Sequence, residues 1–138
     1  MNSNRRGLAK KSRRGSGRKS VSPEALRSEL TAALALFQQG RLKQAEKALL
    51  HLEERHPGIP DVLHLLGFIC LENGRPGPAA EYLEGAVEAV PSSAEMLNLL
   101  GIAQHDLGRN GEALKSLEKA VSLQQQHMGT GQFRHRLG

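Results

Sequence analysis

Residues 65–79 have the sequence LLGFICLENGRPGPA, and residues 99–113 have the sequence LLGIAQHDLGRNGEA. Both stretches begin with Leu-Leu-Gly, contain Gly-Arg in their second half and end with Ala, at an offset of 34 residues. Repetition at a fixed period of about 20 to 50 residues is typical of proteins that stack one supersecondary unit. The offset therefore predicts an array of 34-residue units.

Further residues recur at the same interval and extend the pattern toward the N-terminus. An arginine follows each of the three recurring glycines. The recurrences divide the chain into three units, 26–59, 60–93 and 94–127. The recurring positions are Gly40, Gly74 and Gly108; Ala45, Ala79 and Ala113; and Leu49, Leu83 and Leu117.

Each unit is predicted to form two helices. In the middle unit the first helix should end at Gly74, because glycine adopts without strain the left-handed conformation that closes a helix. The second helix has apolar residues three and four positions apart and should end before Pro91. Gly67 and Ala79 are small, so they are expected where the two helices cross most closely.

Capping signals mark three predicted helix starts. Ser22 precedes Pro23, which suits an N-cap followed by a first-turn proline. Ser92 and Glu95 have the spacing of a capping box, and Asn110 is expected to cap the last helix.

The composition favours helices and offers little for disulfide chemistry. Three Phe, one Tyr and no Trp in 138 residues indicate a core of Leu and Ala. Cys70 is the single cysteine, so an intramolecular disulfide is excluded and a reducing, cytoplasmic location is predicted. We expect Cys70 to be a packed thiol, since the repeat places no His or acidic partner beside it.

The pattern resembles the tetratricopeptide repeat, a 34-residue helix–turn–helix unit that stacks into a right-handed superhelix. The resemblance rests on Leu66-Gly67 and Leu100-Gly101, the turn glycines, the recurring alanines and the terminal prolines, and it covers residues 26–127. It implies an all-α fold of three stacked repeats over 23–127, between a disordered basic tail at 1–22 and a flexible tail at 128–138. It also implies a non-catalytic scaffold for protein–protein interaction.

In this family the first helices of the pairs line a concave groove that binds partners. The groove residues implied here are apolar in the middle with an acidic margin, which favours a peptide with apolar anchors and basic flanks. Packing between repeats is the alternative role for the same side chains. The residues are Leu30, Leu34, Phe37, Asp61, His64, Phe68, Glu72, Glu95, Asn98, Ile102 and Asp106.

Two known binding modes of the family are not expected in this groove. Leu30 and Leu34 stand where the branch that clamps the carboxylate tails of chaperones has Lys and Asn. Leu65 and Leu99 stand where some glycosyltransferase arrays have an asparagine that holds the peptide backbone.

The basic residues of the N-terminal segment suit polyanions. Residues 1–22 contain eight basic side chains and no acidic one, whereas residues 23–127 contain nine basic and fourteen acidic side chains. Without interleaved aromatic residues the tail offers no stacking platform, so binding of RNA or an acidic protein would be non-specific. A solvated tail, or contact with the acidic groove, are the alternatives. The basic residues are Arg5, Arg6, Lys10, Lys11, Arg13, Arg14, Arg18 and Lys19.

No constellation for catalysis, metal or cofactor binding is found in the sequence. His51 and His56 are five residues apart, and His64 and Cys70 six, so neither pair shares one helical face. His105 and Asp106 are neighbours and are expected to point about 100° apart. No apolar run approaches the roughly 20 residues that a membrane span needs.

The end of the third unit predicts a longer last helix and an apolar surface that no further helix covers. Gln125 stands where a proline would end the second helix, so the helix is expected to continue to about Gly129. An array without a closing helix exposes the apolar face of its last helix. Self-association is one outcome, and the front section of a longer protein, such as the substrate-docking repeats of a transferase, is another. A polyanion-binding adaptor that acts through the tail remains a third alternative function.

Overall fold

The computed structural model describes the backbone of residues 22–137 and the side chains of residues 22–126. The basic tail predicted at 1–22 lies, except for Ser22, outside the described residues. Within them the chain forms six α-helices and no strand. Their bounds are α1 (Pro23–Gln38), α2 (Leu42–Arg55), α3 (Pro60–Glu72), α4 (Pro76–Ala89), α5 (Ala94–Asp106) and α6 (Asn110–Leu137).

The helices form three consecutive hairpins that stack in chain order. Each helix packs against its neighbours in sequence, and α3 also contacts α5. The second helices of the three hairpins begin at Leu42, Pro76 and Asn110, each 34 residues after the one before. The predicted all-α array of three helix–turn–helix repeats is therefore confirmed.

The turn glycines adopt the backbone conformation predicted for them. Gly40, Gly74 and Gly108 have φ angles of 79°, 69° and 82°. Side chains with a Cβ rarely adopt this left-handed conformation, which explains why glycine recurs at every hairpin turn.

The helix caps confirm one prediction and correct two. The Ser22 hydroxyl accepts a hydrogen bond from the Ala25 amide at 3.1 Å, as predicted. The capping box predicted at Ser92 is wrong, because the Ser93 N–H closes a turn onto the Val90 carbonyl and Ser93 becomes the cap. Its hydroxyl accepts from the Met96 amide at 3.2 Å. Asn110 is the first residue of α6 rather than its cap.

The core lies between the hairpins, and its middle is the α3–α4 pair. Leu66 and Ile69 of α3 pack in one cluster with residues of α1 and α2, while Leu83 of α4 packs in a second cluster with residues of α5. Gly67 lies against Leu83: a Cβ placed on Gly67 would be 2.5 Å from the Leu83 Cγ atom. The predicted close crossing at Gly67 is therefore confirmed.

Helix α6 is longer than the sequence predicts. It spans 28 residues, whereas α2 and α4 span 14 each. Residues 128–137 are part of this helix, whereas the sequence predicts a helix only to about Gly129. The flexibility expected of residues 128–138 stays a prediction. Gln125 replaces the proline that ends α4, and the glycines at 129 and 131 cost about 1 kcal/mol each without interrupting the helix.

Candidate functional site

Four predicted groove residues line one depression between the first helices α1 and α3. Leu30 and Leu34 contribute apolar surface from α1, and Asp61 and His64 contribute polar surface from α3. The depression holds about 390 Å³ of open space. The structure thus brings together residues that are 34 positions apart in the sequence, because equivalent helices of adjacent repeats lie side by side.

Three further residues line this depression and were not among the predicted site residues. Arg27 and Thr31 lie on the same face of α1 as Leu30 and Leu34, and Leu65 lies beside His64 on α3. The spacing 27, 30, 31 and 34 follows the helical period, so the periodicity that indicates Leu30 and Leu34 also includes Arg27, one turn earlier, and Thr31 between them. Arg27 supplies a cation at one edge of an otherwise apolar and acidic wall.

An aromatic pair joins α1 and α3 nearer their C-terminal ends. The rings of Phe37 and Phe68 pack edge to face, with centroids 5.3 Å apart and planes at 73°. Both side chains are half-buried, and Phe37 also packs against the core cluster of the first hairpin. This pair therefore contributes to packing between repeats, which was the alternative role considered for the groove residues.

The third repeat meets this face through one polar contact. His64 Nε2 lies 3.7 Å from Glu95 Oε2, so α3 and α5 approach each other at the same level as the depression. Glu95 is largely exposed and adds negative charge beside Asp61. The structure shows no contact between the depression and the remaining predicted residues, all of which are exposed. They are Glu72, Asn98, Ile102 and Asp106.

The described part of the chain offers no metal-binding cluster. Within it, no three His, Cys, Asp or Glu side chains lie close enough to hold a metal ion. His105 Nδ1 lies 3.7 Å from Asp106 Oδ1, closer than their helical positions predict, because both are exposed side chains free to rotate at the end of α5. No helix of the described residues is long and apolar enough to span a membrane.

The single thiol is buried between repeats. Cys70 is fully buried and packs with Ala79, Ala80 and Leu83 of α4 and with Leu100 of α5. Burial raises the pKa of the Cys70 thiol, although the nearby Arg75 guanidinium opposes this effect. A protonated, buried thiol is a poor nucleophile, which supports the structural role predicted for Cys70.

We expect the stability of the fold to decrease in alkaline solution because of Cys70 and Tyr82. Burial raises the pKa of both groups above their ordinary values of 9.0 and 10.0. The folded chain therefore retains protons that the unfolded chain releases, and the free energy of unfolding falls as the pH rises above about 9. Below that pH this contribution is constant. Urea unfolding at pH 7.5 and at pH 10.5 measures the loss.

A Tyr82→Phe variant is the control for this pH dependence. It keeps the ring and removes the ionisable hydroxyl, so its loss of stability between the two pH values should be smaller than that of the wild type. An equal loss in both proteins would show that Tyr82 does not contribute.

Comparisons with known proteins agree with this repeat architecture. The family model of the tetratricopeptide repeat matches residues 30–93 and 71–127. The first tetratricopeptide domain of Spaghetti (RPAP3), solved with the HSP90 peptide SRMEEVD, superposes with a TM-score of 0.67 at 18% identity and covers 75% of this chain and 82% of that one.

Two other solved proteins share the same fold. The structure of MamA gives a TM-score of 0.65 at 20% identity and covers 75% of this chain and 61% of that one. The Sgt2 tetratricopeptide domain from Aspergillus fumigatus gives 0.64 at 20% identity, with coverages of 75% and 68%. No curated protein sequence matches the chain. The family model spans well over half of the chain, and the chain belongs to the tetratricopeptide repeat family.

Proposed function

We propose that this chain is a non-catalytic protein-interaction scaffold whose concave face binds a peptide segment with apolar anchors and basic flanks. The observation that carries the proposal is the depression between α1 and α3, where two exposed or half-exposed leucines face acidic and polar side chains. Transferase docking and polyanion binding through the tail remain predictions, since no observation on the described residues favours them.

The apolar part of the depression supplies the anchor site. Leu34 is 38% exposed and Leu30 is half-buried, so the two leucines form an apolar surface with no covering side chain within the described residues. Burial of apolar surface provides about 25 cal/mol per Å², and a few well-packed anchors dominate most interfaces. A Leu, Ile or Phe side chain of a peptide would fill this surface.

The charges around the depression favour basic residues in the peptide. Asp61 is exposed at its edge, and Glu95 extends the acidic margin toward α5. Arg27 is the single cation that lines the depression. Complementary charges steer association and suppress wrong partners, so a peptide with Lys or Arg beside its apolar anchor fits better than an acidic one.

The proposed charge preference differs from the chemistry of a peptide that two structural relatives bind. The first and second tetratricopeptide domains of Spaghetti were solved with the HSP90 peptide SRMEEVD, which has three acidic residues among its last four. The depression described here is lined by leucines and by Asp61, with Arg27 as its single cation. We therefore propose the opposite charge preference on the same fold.

A Leu34→Glu substitution is expected to abolish this binding while Leu50→Glu leaves it intact. Both leucines are exposed to a similar extent, 38% and 42%, but Leu34 lines the depression whereas Leu50 lies on α2, outside it. Peptides selected from a random display library against the full chain would be measured by fluorescence anisotropy. Loss of an anchor contact should weaken binding by about tenfold or more for Leu34→Glu.

Two results would contradict the proposal. One is selection of peptides with acidic C-termini, which would reverse the charge preference. The other is equal affinity of the selected peptides for both variants, which would place the binding site away from the depression. Circular dichroism of each variant checks that the helices are intact.

A further inference from the structure

Helix α6 exposes an apolar stripe, here called the α6 end face, formed by Leu114, Leu117 and Val121. Leu114 is 58% exposed and Val121 is 51% exposed, the largest exposures among the large apolar side chains described. The spacing of three and four residues places all three side chains on one side of the helix. Leu117 and Val121 also line a shallow depression on this side.

The equivalent side of α4, one repeat earlier, is covered by the next repeat. The residues 34 positions before the α6 end face are Ala80, Leu83 and Val87. Ala80 is 2% exposed and Leu83 is completely buried, because α5 packs onto them with Leu100 and Ala103. The α6 end face is therefore a surface that packs against the first helix of a repeat, and no such helix covers it within the described residues.

The opposite end of the stack presents the matching surface on the first helix. Ser28, Ala32 and Ala35, here called the α1 front face, are equivalent to the α5 residues Met96, Leu100 and Ala103. Ser28 and Ala32 are exposed. Ala32 also lines a shallow depression together with residues of α2.

The sizes of the side chains on the two faces are complementary. In the α4–α5 interface the small Ala80 packs in one cluster with the larger Leu100. At the equivalent positions α6 has the large Leu114 and α1 has the small Ala32. The large side chain would therefore come from the second helix and the small one from the first helix, the reverse of the α4–α5 interface. Interfaces tolerate such an exchange when the total volume is conserved.

Two ion pairs connect adjacent repeats and indicate which charged residues meet when one repeat packs on the next. Arg75 and Arg109 each follow a turn glycine, and each contacts a glutamate on the second helix of the preceding repeat. Arg75 lies 2.7 Å from Glu46, and Arg109 lies 3.8 Å from Glu84. The turn arginine of each later repeat thus reaches back across an interface.

The Arg109–Glu84 pair has counterparts at the two ends of the stack, whereas the α6 residue equivalent to Glu46 is Leu114. Arg41 follows the first turn glycine, no repeat precedes it within the described residues, and Glu118 on α6 is equivalent to Glu84. Neither forms an ion pair with another residue in the part of the chain whose side chains are described.

We propose that the α6 end face binds the α1 front face of a second copy of this chain, so that the repeat stack continues from one molecule into the next. Arg41 of the second copy would then lie beside Glu118, as Arg109 lies beside Glu84. The two contacting surfaces differ, so the assembly is head-to-tail and does not close at two copies. The groove between α1 and α3 takes no part in this contact, which makes the proposal independent of peptide binding.

Sedimentation velocity of the full chain over a range of concentrations tests the proposal. We expect the wild type to form a concentration-dependent series of oligomers that passes beyond the dimer. Leu114→Glu disables the α6 end face and Ala32→Glu disables the α1 front face. Because each places a charge in an apolar contact, each variant alone should associate about 100-fold more weakly than the wild type.

An equimolar mixture of the two variants provides the decisive measurement. Each variant retains one working face, and the two remaining faces are complementary, so the mixture should form a one-to-one dimer and nothing larger. Both positions are exposed, so both variants are expected to fold, and circular dichroism with thermal unfolding checks this.

Several outcomes would overturn the proposal. A wild type that stays monomeric to about 1 mM would show that the faces do not bind each other. Dimerisation of Ala32→Glu alone would indicate symmetric pairing of two α6 faces. Association unaffected by either substitution would place the contact elsewhere, and a mixture that remains monomeric would show that the two faces are not partners.

Discussion

Leu83→Ala is expected to lower the free energy of unfolding by about 3 to 4 kcal/mol. Leu83 is completely buried and occupies the junction of three helices, because it packs against Gly67 of α3 and clusters with Leu100 of α5. Truncation removes apolar contacts on both sides of α4 and leaves a cavity. The surrounding helices are held by their own hairpins and can collapse into the space only in part.

Leu114→Ala is the matched control for this substitution. It makes the same chemical change on the second helix of the next repeat, but Leu114 is 58% exposed. Its effect on stability should be below about 0.5 kcal/mol. Urea unfolding followed by circular dichroism, at a concentration where the chain is monomeric, measures both values. A similar decrease in the free energy of unfolding for both variants would show that burial of Leu83 does not stabilise the contact between the repeats.

The repeat pattern predicts the fold well because the same residue types recur wherever the three units make the same contacts within a hairpin or with the next one. Gly74 recurs because every hairpin turn needs a left-handed residue, and Gly67 is small because Leu83 lies against it. Each such requirement depends on residues within one unit or its neighbour. A single sequence with three units therefore contains the information about its helices, turns and core positions.

The predictions that were wrong concern helix ends, where the alternative conformations differ little in free energy. Ser92 and Ser93 can both serve as N-caps, and the choice depends on the turn that the Ser93 amide closes with Val90. The extension of α6 depends on whether two glycines interrupt a helix that lacks a proline stop, and each costs only about 1 kcal/mol. Spacing alone does not resolve differences of this size.

The candidate site was predicted only in part, because periodicity gives the side of each helix that faces the groove but not the distance between helices. Periodicity identifies which side of a helix faces the groove, and it correctly placed Leu30, Leu34, Asp61 and His64 together. It does not give the distance between adjacent first helices. Phe37 and Phe68 are close enough to pack on each other, whereas Asn98, Ile102 and Asp106 of α5 show no contact with the depression.

The two proposed surfaces use different parts of the repeat. The concave depression is lined by first helices of adjacent repeats, whereas the α6 end face and the α1 front face lie at the two ends of the stack, uncovered by any other described helix. Head-to-tail association would place the concave faces of successive copies next to one another. A partner with several basic and apolar segments would then bind with a higher apparent affinity than one with a single segment.

Gly67→Ala is expected to destabilise the fold by about 1 to 3 kcal/mol, although alanine favours helices over glycine by about 1 kcal/mol. The new Cβ would lie 2.5 to 3.0 Å from three side-chain atoms of Leu83. Leu83 is completely buried and cannot move aside without disturbing α5. The clash therefore outweighs the gain in helix propensity.

Gly111→Ala serves as the matched control, because Gly111 is also helical, is not followed by proline, and a Cβ there meets nothing within 4 Å. It should stabilise the chain by about 0.5 to 1 kcal/mol. Gly101→Ala should lie between the two. The Cβ would approach the Leu117 Cγ atom at 2.6 Å and the Ala113 carbonyl oxygen at 3.3 Å, but Leu117 is only half-buried at the end of the stack and can shift.

A double-mutant cycle identifies the contact responsible. Combining Gly67→Ala with Leu83→Ala removes the atoms that clash, and the new methyl group fills part of the cavity. The double variant should therefore be more stable than the sum of the two single losses implies, by about 1 kcal/mol or more. Additive losses would mean that Gly67 is required for a reason other than its contact with Leu83, and the close helix crossing would not explain why glycine stands there.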